Sequence, residues 1–358
     1  MKTIIHIGMP KTGSTALQKA LCGARKELAK NGVLYPIQGK QVNHGLLAGA
    51  VRPYEVAPRR FRRFSEQELN SRVEVFLENL KSQISGHDSD LLILSSEYLW
   101  PVGQYHAGLE KLQFLLKQVG IENPEFVAYV RGPSSYYLSA TQQRLRASST
   151  FRQPGNYNIT ANLDAYSEFF SNSKFSVRLF NREALVGGDI ISDFMSLHRP
   201  DLQGIVSKAA KKISTNESLS AEGMVLMQQF RRHFYADQDD RINKQTLRFI
   251  NQLRRVEKRL NLPRPMLRPE VAEYTDYSGT GPLELRDRYG IVFPNLDYSR
   301  LERGEFAKKP QVGGDVQDVV QVSDEQLEQM VSRLLRTYLS LNPTLRIWLR
   351  SLPFGKTA

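Results

Sequence analysis

The sequence predicts an α/β fold with a mostly parallel sheet flanked by helices. Four short apolar runs alternate with longer segments in which apolar residues recur at helical spacing. Lys11, Glu97 and Arg131 each come shortly after one of the first three runs. Alternating strands and helices build parallel sheets, whose ligands bind beyond the carboxyl ends of the strands. The sequence therefore predicts both the architecture and the edge of the sheet that carries the site.

The predicted elements follow one another in a regular order. Predicted strands lie at residues 3–7, 91–94, 125–130 and 175–180. Predicted helices lie at residues 16–31, 66–84, 109–119 and 133–146, with Gly32 suited to end the first. Residues 216–262 are predicted to be helical, 263–294 irregular and 323–341 a last amphipathic helix. We expect a single domain over residues 1–358, with an α/β core over 1–200 and a mainly helical part over 201–358.

Composition narrows the class of protein. The one cysteine, Cys22, excludes an intramolecular disulfide and cysteine-ligated metal clusters, and it fits a reducing compartment. The N-terminus shows no secretory signal, and no apolar run is long enough to cross a bilayer, so we expect a cytoplasmic protein. The formal net charge of +12 favours an anionic partner, whether nucleic acid, a membrane surface, an acidic polymer or a phosphorylated cofactor.

Residues 8–15 form a turn-rich loop between the first predicted strand and the first predicted helix. Backbone amides at a helix start bind anions, and Gly13 permits close approach of a phosphate. Ser14 and Thr15 add hydroxyl donors, while Lys11 adds a mobile positive charge. In the usual ATP-binding loop, the lysine follows the second glycine, whereas here it precedes Gly13. The loop is suited to a phosphate but differs from that ATP loop; a capped helix start with an incidental lysine is the alternative.

The run Pro10-Lys11-Thr12-Gly13-Ser14-Thr15 resembles the 5′-phosphosulfate loop of sulfotransferases that use 3′-phosphoadenylyl sulfate (PAPS). The core of that loop reads Pro-Lys-[Ser/Thr]-Gly-[Ser/Thr]-[Ser/Thr], with no departure here. The family's second motif is an arginine at a strand end with a serine eight residues later, and Arg131 and Ser139 match it. The resemblance assigns both to the 3′-phosphate, which a guanidinium can bind bidentately. These motifs span roughly the first 180 residues.

The resemblance implies a P-loop-like three-layer fold. Residues 1–200 would bind the nucleotide, and the helical part over 201–358 would complete the substrate cleft. The implied reaction transfers a sulfuryl group from PAPS to a hydroxyl or amine, without a metal ion. The likeness is strongest to bacterial enzymes that modify carbohydrates or glycoconjugates, so such an acceptor is expected and nucleic acid is not.

Sulfuryl transfer needs a cation at the leaving oxygen and a base at the acceptor hydroxyl. Lys11 is suited to the first role. For the second, Glu97 follows a predicted strand, at a place where many family members hold a histidine. Its alternative role is that of a structural carboxylate that positions Lys11 or Arg131. His44 is the other candidate base, although a lone histidine is more often structural.

One family feature is not found in the sequence. Many members close the nucleotide site with a C-terminal Gly-x-x-Gly-x-Trp-Lys loop, for which Lys211-Lys212 or Arg286 and Arg288 could stand in. The basic clusters at 59–63 and 144–146 could hold an anionic glycan, or could be solvated surface.

Two other functions remain open from the sequence. The first is a P-loop-type small-molecule kinase, which would use ATP and Mg²⁺. The second is a non-enzymatic protein that binds nucleic acid or a membrane surface through its net charge. The segment at residues 345–350 could lie at a lipid interface, and peripheral contact with the inner membrane face is compatible with enzymatic activity. Neither alternative accounts for the loop together with Arg131 and Ser139.

Overall fold

The computed structural model of the protein describes residues 1–211 and 218–340. These residues form five strands and fifteen α-helices. The strands are β1 Lys2–His6, β2 Val33–Leu34, β3 Leu91–Ser95, β4 Glu125–Val130 and β5 Phe175–Leu179. The helices are α1 Ser14–Lys30, α2 Gly45–Val51, α3 Arg59–Arg62, α4 Glu66–Ser85, α5 His106–Gln118, α6 Pro133–Leu145, α7 Thr160–Phe169, α8 Ile190–His198, α9 Gln203–Ala210, α10 Ala221–Tyr235, α11 Lys244–Leu260, α12 Pro269–Tyr277, α13 Gly281–Tyr289, α14 Tyr298–Glu302 and α15 Asp324–Ser340.

The five strands form one parallel sheet in the order β2-β3-β1-β4-β5. Strand β1 lies in the centre, where His6 pairs with Ser95 of β3 and with Val127 of β4. All residues of β3 and β4 are buried, as expected for strands covered by helices on a parallel sheet. The predicted α/β architecture, a parallel sheet flanked by helices, is confirmed.

The described residues group into two compact units. The first comprises residues 1–133, 156–211 and 279–306, and it contains the sheet. Helix α1 buries the predicted apolar face, which consists of Leu17, Ala20, Leu21, Ala24 and Leu28. Gly32 follows this helix in a left-handed conformation with φ of 75°, which glycine adopts without steric cost. The predicted helix and its end are therefore confirmed within two residues.

The second unit comprises residues 134–155, 218–278 and 307–340. Its apolar core includes Met224 of α10, Leu253 of α11 and Met330 of α15, each fully buried. Outside its helices, this unit has an isolated antiparallel bridge between Leu267 and Val320. The described residues after 200 are mainly helical, as the sequence predicts.

Two parts of the sequence-based secondary structure need correction. Residues 263–294 are not irregular throughout, because α12 and α13 lie there. Pro269 and Pro282 occupy the first turns of these helices, where a proline lacks no hydrogen bond that the helix needs. The predicted helix over 216–262 is divided into α10 and α11, with residues 236–243 outside both.

Candidate functional site

The loop between β1 and α1 has the backbone geometry of an anion cradle. Lys11 and Gly13 have φ values of 72° and 80°, while Thr12 between them is not in the positive region. Such alternation turns successive backbone N–H groups toward one concave side, and the positive end of the α1 dipole lies directly after it. A negatively charged oxygen is the ligand that this arrangement favours.

One side chain of the loop stabilises the loop itself, whereas two others offer hydroxyl groups that can donate hydrogen bonds to a ligand. Thr12 is fully buried and donates its hydroxyl to the carbonyl of Met9 at 2.6 Å, so its side chain stabilises the loop itself. The Ser14 hydroxyl is buried and has no hydrogen-bond partner among the described residues. The Thr15 side chain is exposed. A predicted role for Thr12 in ligand binding is therefore restricted to its backbone amide.

Two glycines allow the loop to pack this closely. A Cβ atom on Gly8 would lie 2.5 Å from Ser14 Oγ and 2.6 Å from Nε2 of His6. A Cβ atom on Gly13 would approach Phe180 to 3.0 Å and Ile190 to 3.1 Å, in a conformation that already disfavours side chains. Gly8 is needed because neighbouring atoms leave no room for a Cβ atom. Gly13 is needed for the same reason and also because its φ is positive.

Arg131 and the loop meet at the carboxyl edge of the sheet. The Nη1 atom of Arg131 donates a hydrogen bond to the carbonyl oxygen of Lys11 at 3.1 Å. The guanidinium carbon lies 5.9 Å from the centroid of the Phe180 ring. Arg131 follows β4, the parallel neighbour of β1, so the sheet topology brings these two predicted site residues together. Both side chains are partly buried.

Tyr157, which the sequence analysis does not identify, holds the same region. Its hydroxyl donates to the carbonyl oxygen of Arg131 and lies 3.8 Å from the sulfur of Met9. The ring is 8% exposed. Tyr157 stands in an irregular segment without hydrophobic periodicity, so no local pattern marks it.

Ser139 lies on α6 and belongs to the second unit, where it is partly buried. Its assignment to a phosphate together with Arg131 stays a prediction.

Glu97 lies two residues after β3 and accepts a hydrogen bond from helix α1. Its Oε2 atom accepts a hydrogen bond from Nε2 of Gln18 at 2.8 Å, and the same nitrogen lies 3.2 Å from Ser95 Oγ. Asn43 in turn donates to Oε1 of Gln18 at 3.4 Å. Gln18 comes one helical turn after Ser14, so α1 links the loop to the Glu97 carboxylate. The signal for Gln18 is a polar residue among the buried apolar residues of α1.

His44 is embedded in backbone hydrogen bonds. The backbone N–H of Ser95 donates to its Nδ1 at 2.8 Å, so the proton is assigned to Nε2, which donates to the Pro36 carbonyl at 2.6 Å. The side chain is 1% exposed, and burial lowers its pKa to about 4. Both nitrogens are used in positioning the chain, which argues against His44 as the base and favours Glu97.

Arg286 and Arg288, two of the residues considered for closing the nucleotide site, are each paired with carboxylates. Arg286 pairs with Asp287 at 2.8 Å and with Glu302 at 2.6 Å, while Arg288 pairs with Asp164. Lys211 lies at the end of α9, whereas Lys212 is outside the described residues. The two arginines are neutralised by carboxylates, which argues against their role in closing the site.

The described residues were compared with the requirements of a metal site and of a membrane-spanning helix. Among residues 1–211 and 218–340, no group of three or more His, Cys, Asp or Glu side chains is arranged to hold a metal ion. None of the described helices is both long and apolar enough to span a membrane, and the segment at 345–350 lies outside the described residues.

No protein-family model matches the sequence, and no curated protein matches it.

Proposed function

We propose that this protein is a PAPS-dependent sulfotransferase. The observation that carries the proposal is the hydrogen bond from Arg131 to the carbonyl of Lys11, which joins the phosphate loop and the second cationic motif in one place. A loop without this partner would suit many phosphorylated ligands. A second cation fixed beside it suits a nucleotide with phosphates at two positions, which distinguishes PAPS from ATP.

The sheet topology supports a P-loop-like fold. The chain passes from β1 to one side of the sheet for β2 and β3, and then to the other side for β4 and β5. Ligands of open α/β sheets bind beyond the carboxyl ends of the strands at such a change of direction. Lys11 follows β1 and Arg131 follows β4, so both lie where this rule expects a ligand.

In the proposed reaction, an acceptor oxygen bonds to sulfur as the bond from sulfur to the bridging phosphate oxygen breaks. Adenosine 3′,5′-bisphosphate leaves with the electron pair of that bond. The loop amides and Lys11 stabilise the negative charge on the leaving oxygen. Arg131 binds the 3′-phosphate.

Glu97 accepts the proton of the acceptor hydroxyl in this proposal. Its carboxylate is fixed by Gln18, which keeps one oxygen occupied and orients the other. A positioned carboxylate contributes typically about 10²–10⁴-fold to such a step. The expected acceptor is a hydroxyl or amine on a carbohydrate or glycoconjugate, and the enzyme would work in the cytoplasm, free or at the inner membrane face.

Transfer of an isotopically labelled sulfuryl group from PAPS into a saccharide pool tests this function. Label should enter the saccharide fraction with the parent protein and fall by about 10²–10³-fold with Lys11→Ala. Lys19→Ala removes an exposed lysine from α1 and is the matched control. Transfer of phosphate from ATP–Mg²⁺ instead of sulfuryl from PAPS would identify a kinase and contradict the proposal.

A further inference from the structure

A basic cleft in the first unit lies apart from the phosphate loop. Its volume is about 780 Å³, which is in the range of small-molecule binding sites. It is lined by residues of α2, α3 and α4, of the connection between α3 and α4, and of the segment before α2. Three arginines, three glutamines and one serine accompany four apolar side chains and a single carboxylate. This lining combines cations with neutral hydrogen-bonding groups.

The three arginines of the cleft are Arg60, Arg63 and Arg72, and the carboxylate is Glu68. Glu68 is committed elsewhere, because its Oε2 atom accepts from the backbone N–H of Ser65 at 2.8 Å in the capping box of α4. The lining therefore carries an excess of positive charge that its one carboxylate does not balance.

Aromatic rings hold the guanidinium groups in place. Those of Arg63 and Arg72 lie 4.7 and 4.0 Å from the centroid of the same Phe64 ring. The guanidinium of Arg60 lies 4.0 Å from the centroid of the Tyr98 ring. A ring attracts each cation but does not neutralise it. Two like charges held against one ring are stabilised when an anion binds between or beside them.

Arg60 is the most confined of the three. Burial lowers the pKa of its guanidinium, and the neighbouring charge of Arg63 acts in the same direction. Its Nε atom is buried without a hydrogen-bond partner among the described residues. A Cβ atom on Gly45 would overlap its Nη2 atom, so the group fits against the start of α2. A cation desolvated in this way lacks the compensation that a bound anion supplies.

Arg60 also connects the cleft with the end of β3. Burial lowers the pKa of Arg60, and the negative charge of the Glu97 carboxylate opposes that shift. Tyr98, whose ring carries Arg60, is the next residue after Glu97. A ligand that occupies the cleft would therefore extend from Arg63 and Arg72 toward the proposed base.

We propose that this cleft binds the acceptor through an acidic group, so that the acceptor is a saccharide with carboxylate or sulfate substituents. Arg63 and Arg72 bind the acidic group, and the glutamines and the serine bind sugar hydroxyls. This inference rests on the proposed function in one respect: the bound saccharide is the acceptor of the sulfuryl group. Binding of the saccharide does not itself depend on that function.

Calorimetric binding of defined tetrasaccharides tests the proposal. Tetragalacturonate supplies carboxylates, its methyl ester is the neutral control of the same length, and a sulfated tetrasaccharide supplies sulfates. The double variant Arg63→Gln/Arg72→Gln removes two charges at exposed positions, so the fold should persist. Lys26→Gln/Lys81→Gln removes two exposed charges outside the cleft and is the matched control.

At least one acidic tetrasaccharide should bind, and the neutral ester should bind at least about tenfold more weakly. The arginine double variant should lose about tenfold in affinity for the acidic probe, while the lysine double variant should stay within about twofold of the parent protein. Failure of both acidic probes to bind, equal binding of the ester, or equal losses in the two double variants would each overturn the inference.

Binding of adenosine 3′,5′-bisphosphate to the same variants separates the two proposals. Unchanged nucleotide affinity in Arg63→Gln/Arg72→Gln is expected, and its loss would assign the cleft to the nucleotide and overturn the inference. If the parent protein binds the acidic tetrasaccharide but not the bisphosphate, the cleft is confirmed as an acid-binding site and the sulfotransferase proposal fails.

Discussion

The guanidinium of Arg131 donates a hydrogen bond to the main-chain carbonyl of Lys11, 3.1 Å away. Lys11 stands in a left-handed conformation that a lysine rarely adopts, and such positions persist where the surroundings fix them. The end of β4 thus supports the conformation of the loop after β1. One contact links the shape of the cradle with the position of its second cation.

Replacement of Arg131 with lysine should separate these two effects. Lysine keeps the charge but lacks the planar fork, so binding of adenosine 3′,5′-bisphosphate should weaken by about 1.5–3 kcal/mol. Binding of ADP, which lacks the 3′-phosphate, should weaken less. Calorimetry with both nucleotides provides the comparison. Equal losses for the two would mean that Arg131 only supports the loop and does not bind the 3′-phosphate.

Replacement of Gly13 with alanine should distort the loop. The left-handed backbone costs a side chain about 1–2 kcal/mol, and the added Cβ would also press on Phe180. We expect lower stability in urea and weaker bisphosphate binding. Gly39→Ala is the matched control, because Gly39 has a φ of 57° but no atom within 4 Å of the added Cβ. Its substitution should lower stability without weakening nucleotide binding; the same loss of binding in both variants would refute this account of Gly13.

The phosphate loop after β1 could be predicted from the sequence because its determinants are local. The loop and helix α1 follow from a strand, a turn and an apolar periodicity within thirty residues, and β4 agrees with its predicted bounds. Tyr157 and the Gln18–Glu97 hydrogen bond depend on contacts between segments distant along the chain, which periodicity does not encode. The prolines of α12 and α13 show the related difficulty that one residue type both breaks and begins helices.

Replacement of Glu97 with glutamine should slow transfer and leave nucleotide binding unchanged. Glutamine can still bond to Gln18 but cannot accept a proton, so kcat should fall by about 10²–10⁴-fold. The pH profile of kcat should also lose its acidic limb, which a merely structural role would not require. Steady-state kinetics across pH give both quantities. A fall in kcat with the acidic limb retained would assign Glu97 to positioning.

Replacement of His44 with glutamine should change the response of stability to acid. Its pKa is about 4 in the folded protein and 6.5 in an unperturbed chain, so between these values the unfolded state binds the extra proton. The free energy of unfolding therefore falls as the pH falls through this window. His44→Gln should reduce the slope of the unfolding free energy against pH by up to about 1.4 kcal/mol per pH unit, which corresponds to one bound proton.

Urea unfolding between pH 4.5 and 6.5, within that window, measures this slope. Burial also lowers the pKa of His6 to about 3 and that of His198 to about 4, so a residual slope of the same sign should remain. His87→Gln, at an exposed position, is the control and should keep the slope of the parent protein. An unchanged slope in His44→Gln would show that His44 is not buried in its neutral form.

The most direct test of the sulfotransferase proposal is a calorimetric comparison of adenosine 3′,5′-bisphosphate with ADP and with ATP–Mg²⁺ at physiological salt. The cradle after β1 and the arginine after β4 predict a clear preference for the bisphosphate, because the proposal assigns one of its two phosphates to each. Preference for ATP–Mg²⁺, or no binding of any of the three nucleotides, would contradict the proposal.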